Sequence, residues 1–181
     1  MAWKQLSYQE RYQSPWLRIT EDKVITEAGK SLTWSVIHQK PCAMVLPWDG
    51  ERFVLVKLYR YVINRASWEF PAGSVADVSM DEAAKLELKQ ETGFSAGAYE
   101  HIGKVFLANG SSTQSMDIYL ATDLVAGEAE PDEGEEGIES RHVTYAELCQ
   151  MINDGSIHDS PSIAAVGYLC TSGWVDRNVR K

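Results

Sequence analysis

Along the first half of the chain, apolar and polar residues alternate at the two-residue period of half-buried strands. Residues 16–20 and 23–26 read as strands about a Glu21-Asp22 turn, and Gly29-Lys30 leads into a strand over 31–39, where Leu32, Trp34, Val36 and His38 alternate. Two denser apolar segments, 43–48 and 52–60, flank Asp49-Gly50-Glu51, a sequence suited to a hairpin turn. Pro71-Ala72-Gly73 interrupts the strand pattern.

The period then changes to that of a helix. Ser79-Met80-Asp81-Glu82 predicts a capping box, in which the Ser79 hydroxyl accepts the amide three residues on and Glu82 reaches back. Good helix formers fill the positions up to Gln90, the helix extends to Thr92, and Gly93 is placed to end it. Strands resume over 99–107 and 116–124, followed by an acidic stretch over 128–139 and a short strand near His142. Thr144 caps a helix over 145–153, and Ser160 or Ser162 starts another that runs to about Cys170. Mixed strands with few, separated helices predict an α+β fold or an α/β/α sandwich.

Composition narrows the function classes. The chain has 181 residues, 44% of them hydrophobic and 24% charged, as expected of one globular domain with a core of its own. No apolar run nears the roughly 18 residues a membrane-spanning helix needs, and Met1 to Gln5 lack the basic start and apolar stretch of a signal peptide. Three widely spaced cysteines, Cys42, Cys149 and Cys170, favour a reducing compartment, so a cytoplasmic location is expected. The net charge of -9 argues against a nucleic-acid partner, which would call for a basic surface. The four histidines form no ligand-spaced cluster, which disfavours zinc.

The candidate chemistry sits on the helix that Ser79 opens. Glu87 and Glu91 are four residues apart and so share one face, one turn apart, with Gln90 on the same edge. Two such carboxylates repel one another unless a cation joins them. Lys85 and Lys89 allow a second reading, a solvated face with ordinary ion pairs.

The surrounding residues resemble the Nudix family. Trp68-Glu69-Phe70-Pro71-Ala72-Gly73, followed by Glu82-Ala83-Ala84 and by Leu86-Glu87-Leu88-Lys89-Gln90-Glu91-Thr92-Gly93-Phe94, is similar to the Nudix box, G-x5-E-x7-R-E-U-x-E-E-x-G-U, with U a bulky aliphatic residue. The segment 55–61, the acidic stretch 130–139 and Asn153-Asp154-Gly155-Ser156-Ile157-His158-Asp159 resemble the branch that cleaves ADP-ribose and nucleotide sugars. The box departs from the pattern at several places. Its loop is one residue short, with Val78 or Ser79 where the first Glu belongs. Leu86 replaces the Arg that braces the acidic side chains, and Gln90 replaces one Glu.

The resemblance implies a sandwich with a mixed sheet between helices, preceded by an antiparallel strand region over 1–40 that exchanges between the subunits of a homodimer; the hydrolase domain then spans 41–181. It implies metal ligation by Glu87, Glu91 and the Ala72 carbonyl, with Gln90 as a neutral oxygen donor, and Mg²⁺ as the metal with Mn²⁺ as a substitute. It implies a catalytic base on the acidic loop, from Glu133, Glu135 or Glu136, and substrate contacts from Arg60 and Glu69. Arg60 reads equally as a surface ion pair, Glu69 as an exposed strand residue, and the acidic loop as merely solvated. Trp16, Trp34 and Tyr61 are candidates for stacking a base, against a core role, and Asn109 and Gly110 for a substrate-facing loop. The implied reaction is hydrolysis of a nucleoside diphosphate sugar, ADP-ribose first, to a nucleoside monophosphate and a sugar phosphate. Hydrolysis of nucleoside triphosphates or dinucleoside polyphosphates is the enzymatic alternative. Leu86 and Gln90 motivate another, a nucleotide-sugar sensor with weak catalysis.

Overall fold

The computed structural model describes residues 2–74, 77–130 and 137–179. The chain divides into two compact units, Met1–Pro41 with Phe106–Ser115, and Cys42–Val105 with Met116–Lys181.

In the first unit, β1 (Lys4–Gln13), β2 (Leu17–Ile25) and β3 (Ser31–Gln39) form an antiparallel sheet in that order. The expected Glu21-Asp22 turn is absent, and β2 runs straight through both residues. Partners across the sheet hold them in the ladder: Glu21 pairs with Arg11 at 2.7 Å and Asp22 accepts from Gln5 at 2.6 Å, while Thr20 of the same strand also donates to Asp22 at 2.7 Å. The strand β1 escapes the periodicity because it carries two register shifts, between Gln5 and Ser7 and between Glu10 and Tyr12. In the turn that includes Asn109 and Gly110, the Gly110 carbonyl accepts the indole N–H of Trp34.

In the second unit, β4 (Cys42–Pro47) lies parallel to β9 (Ser115–Val125) and antiparallel to the short β7 (Ala72–Gly73), with β8 (Ser95–Phe106) beyond β9. A second sheet places β5 (Phe53–Arg60) between β10 (Glu139–Val143) and β6 (Arg65–Glu69). The expected hairpin about Gly50 reduces to one bridge, Trp48 to Phe53, after which β4 and β5 enter different sheets. The reason lies in their composition. Every residue of β4 and the first four of β5 are buried, so each strand needs neighbours on both edges and cover on both faces.

Helix α1 (Met80–Thr92) packs Ala83, Ala84 and Leu88 against Ala43, Val45, Tyr119 and Ala121. The Ser79 hydroxyl accepts the Glu82 amide at 3.2 Å as expected, but the Glu82 carboxylate lies toward Lys85, at 3.7 Å. The complete capping box belongs to α2 (Tyr145–Asn153), where Thr144 and Glu147 bond reciprocally. Helix α3 (Ser160–Thr171) starts at Ser160 with Asp159 as its cap, which frees the Ser162 hydroxyl for another use. A short α4 (Trp174–Asn178) brings Trp174 against Trp48 and Phe53. The class is α+β with a mixed sheet.

Gly93 ends α1 at φ 76°, with its N–H on the Lys89 carbonyl. A Cβ there would stand 2.7 Å from the backbone of Gly127 and Ala129. Gly93→Ala is expected to cost at least the roughly 1–2 kcal/mol of a left-handed backbone, plus that overlap, read as a lowered urea midpoint at unchanged slope.

Candidate active site

Helix α1 presents Leu88 to the core, and a face adjoining it carries Glu87 and Glu91, both buried, Glu91 to 2% exposure. Burial displaces the reading of a solvated, ion-paired face. The two lysines serve elsewhere: Lys85 lies by Glu82, and Lys89 donates to the Glu128 carbonyl at 2.6 Å. Gln90 is half-buried, and its backbone carbonyl accepts the Glu130 amide at 3.1 Å. Residues 127–130 are thereby docked on the last turn of α1.

The connection from β6 to β7 supplies the facing wall. Gly73 has no side chain because the Glu87 carboxylate fills that space; a Cβ on Gly73 would overlap its carboxyl carbon and both oxygens. Ala72, whose carbonyl was expected to bind metal, immediately precedes this contact and pairs with Met44 of β4.

Arg60 and Glu69 meet directly. Arg60 Nε donates to Glu69 Oε1 at 3.1 Å and Nη2 to Oε2 at 2.6 Å, a forked pair well matched to guanidinium geometry. Glu69 is buried, at 4% exposure, which corrects its reading as an exposed strand residue. The hydrogen bonds to Glu69 raise the Arg60 pKa above its ordinary value against the opposing cost of burial, and the charges of Glu69, Glu91 and Asp159 add to the rise. Asp159 is pushed up from 3.8, first by burial and then by the Glu69 charge. The Cys42 thiol is pushed up to about 11, by burial and then by Glu87, Asp117 and Asp159. Three different groups thus feel a concentration of buried carboxylate.

Buried carboxylates are costly unless hydrogen bonds, a cation or a proton offsets their lost hydration. The Glu87 carboxylate cradled at Gly73 and the buried Glu91 carboxylate offer hard oxygen donors one turn apart, which suits a divalent ion that keeps several waters. Among the described residues, no group of three or more His, Cys, Asp or Glu side chains is placed to hold a metal ion. The residues fit an ion held by these two carboxylates with water completing its shell, and not one caged by side chains.

Glu133, Glu135 and Glu136 lie outside the described residues. Trp16, Asn109 and Gly110 belong to the other compact unit, where Trp16 is 82% exposed beside a cleft of about 310 Å³ that Arg18 and His38 also line. Trp34 and Tyr61 are exposed as well, so none of these three aromatics is a core residue. Read from sequence alone, Asp159 is only the end of a family-like segment and Ser162 only a possible helix start; the fold brings Asp159 near Glu69 and Ser162 to Phe70.

Asp159 binds its proton more readily folded than unfolded. Its contribution to stability is therefore fully present below the unfolded value near 3.8 and is lost as pH rises through the raised folded value. Asparagine keeps the cap without the charge. Asp159→Asn is expected to gain stability relative to the parent as pH rises through that window, in metal-free urea titrations from pH 4 to 7. A pH-independent difference would contradict the assignment.

Comparison with known proteins agrees with this geometry. The family model of the NUDIX domain matches residues 38–166. An ADP-ribose pyrophosphatase of Mycobacterium tuberculosis is 30% identical over 175 residues, covering 88% of this chain and 84% of that protein. An ADP-ribose pyrophosphatase of Bacillus subtilis is 25% identical over 151 residues, covering 82% of each. The crystal structure of an ADP compounds hydrolase superposes with a TM-score of 0.87 at 18% identity, over 100% of this chain and 98% of that one, and so shares the fold. The chain belongs to the Nudix family, on its ADP-ribose pyrophosphatase branch.

Proposed function

We propose that this protein hydrolyses the diphosphate of a nucleoside diphosphate sugar in a Mg²⁺-dependent reaction, with ADP-ribose as the leading substrate and AMP and ribose 5-phosphate as products. The observation that carries the reading is the buried pair Glu87 and Glu91, on a helix end that faces Ala72 and Gly73. ADP-glucose and GDP-mannose are the next substrates to test.

Glu87, Glu91 and the Ala72 carbonyl would hold the ion, and Gln90 would offer an oxygen without charge. When bound, the metal neutralises phosphate charge and lowers the pKa of a bound water. The protein's own residues do the rest. Arg60, fixed by Glu69 through two of its N–H groups, keeps its remaining donors for a phosphate or ribose oxygen. A carboxylate among Glu133, Glu135 and Glu136 takes the proton from the attacking water. The flanks of that loop support this role: Glu130 is bonded to Gln90, and Glu139 is paired with Lys57 at 3.3 Å. Water adds to one phosphorus, the bridging P–O bond breaks, and the leaving phosphate departs with its electron pair.

Two substitutions weaken the box. Gln90 removes one negative charge, which raises the Mg²⁺ concentration needed. Leu86 removes the arginine brace, and Arg60, whose charge interacts with Glu91, supplies positive charge from the facing strand in its place. These changes also sustain the second reading, a sensor that binds nucleotide sugar without turnover. The edge strand β1 exposes Leu6, Tyr8 and Tyr12, apolar surface that supports a homodimer through this strand. The free cysteines support a cytoplasmic location. Among the described residues, no helix is long and apolar enough to cross a membrane.

Product formation from ADP-ribose, with Mg²⁺ titrated, is expected for the wild type and is expected to fall at least about 100-fold in Glu91→Gln, a loss of about 3 kcal/mol of transition-state stabilisation. Absence of turnover on ADP-ribose, ADP-glucose and GDP-mannose, with Mg²⁺ or Mn²⁺, would leave the sensor.

A further inference from the structure

The residues from 154 to 162 form a braced corner between α2 and α3. Asp154 Oδ1 accepts the Ser156 amide at 2.9 Å, the Ile157 amide donates to the Met151 carbonyl at 2.9 Å, and Asp159 Oδ2 accepts the Ser162 amide at 2.9 Å. This corner bonds twice to the connection that carries the site. The Ser156 carbonyl accepts the Trp68 amide at 3.2 Å, and the Ser162 hydroxyl accepts the Phe70 amide at 3.0 Å. From the other side, the Pro71 carbonyl accepts the Val45 amide at 2.9 Å, and Ala72 and Gly73 pair with Met44 and Ala43. Residues 68–73 are thus held alternately by the corner and by β4. Between the two bonds from the corner, the Glu69 side chain grips Arg60.

Ser162 takes the Phe70 amide through its side chain rather than its backbone, and it is 1% exposed. The helix does not require its hydroxyl, since Asp159 already caps α3. Water has little access to replace the hydroxyl, so its loss would strand the Phe70 amide. Ala72 follows Phe70 by two residues, and Gly73 is in contact with the Glu87 carboxylate. Displacing Phe70 therefore displaces both the expected carbonyl ligand and the cradle of a carboxylate ligand, where a shift of about 1 Å matters to rate.

We infer that Ser162 is a positioning residue for the metal-binding face, fixing the Phe70-to-Gly73 backbone against Glu87 through its hydroxyl; the inference rests on the metal-site reading given above. The test measures Mn²⁺ uptake alone by calorimetry or electron paramagnetic resonance, and kcat and KM for ADP-ribose at saturating metal. Ser162→Ala is expected to weaken Mn²⁺ binding at least about fivefold and to lower kcat at least about tenfold, with KM changed less than about threefold. Thr144→Ala removes a cap on α2 and controls for lost stability in the same protein. It is expected to lower Tm without moving Mn²⁺ affinity or kcat.

Should Ser162→Ala fail to fold, Ser162→Cys keeps the volume with a weak acceptor and carries the same expectation. Wild-type uptake that is lost in Glu91→Gln but intact in the Ser162 variant overturns this inference and leaves the metal site standing. An equal loss of affinity in Thr144→Ala also overturns it, because the effect would then follow stability alone. If the wild type takes up no Mn²⁺, the metal-site reading and the role of Ser162 fall together.

Discussion

Glu87 and Glu91 are carboxylates shut away from water on one face of α1, and much of the second unit is arranged around tolerating them. A buried carboxylate is stable only where charge or directed hydrogen bonds replace its lost hydration. Here Gly73 gives up a side chain so that Glu87 fits, and Arg60 brings a guanidinium whose charge interacts with Glu91. Asp159 and Cys42 hold their protons more readily in the same neighbourhood, first because they are buried and then because carboxylates lie near them. In the proposed reaction a divalent ion would offset this charge, which would link the packing of the fold to its chemistry.

The apolar strands make that arrangement possible. β4 is buried at every residue and sits between β7 and β9, so its position is fixed on both edges. The core face of α1, through Ala83, Ala84 and Leu88, docks on this rigid strand. The rotation of the helix is thereby set, and the angle between core and carboxylate positions on a helix does not vary. Across the site, Arg60 ends β5 and Glu69 ends β6; the register sets Glu69 opposite Val56, on the same face as Arg60, and the two side chains meet by reaching along that face. The pair Glu87 and Glu91 and the pair Arg60 and Glu69 therefore come from separate elements held by one core.

The departures in the box read differently with the fold in view. Leu86 is exposed, so the missing arginine leaves no cavity behind. Gln90 keeps a structural task through its backbone, which receives the Glu130 amide and docks the start of the acidic loop. Such changes alter charge while preserving shape. In the proposed reaction they would lower the field on the ion without dismantling the site that would hold it.

The sequence by itself determined the local order of this protein: the caps at Ser79 and Thr144, the stop at Gly93, the pairing of Glu87 with Glu91 on one helical face, and, through the box and its flanks, the family. Each is written within a few residues, because helix period, capping and turn chemistry act over one or two turns. Tertiary structure decided what those signals leave open. It kept β2 straight through Glu21-Asp22 by giving both acids partners on β1, and it sent β4 and β5 into different sheets although a good turn sequence joins them. It bound Arg60 to Glu69, and it brought Ser162 to Phe70 across 92 positions of sequence. The energy of such contacts comes from burial and from hydrogen bonds between segments far apart in the chain, and no local pattern encodes which distant residue will arrive.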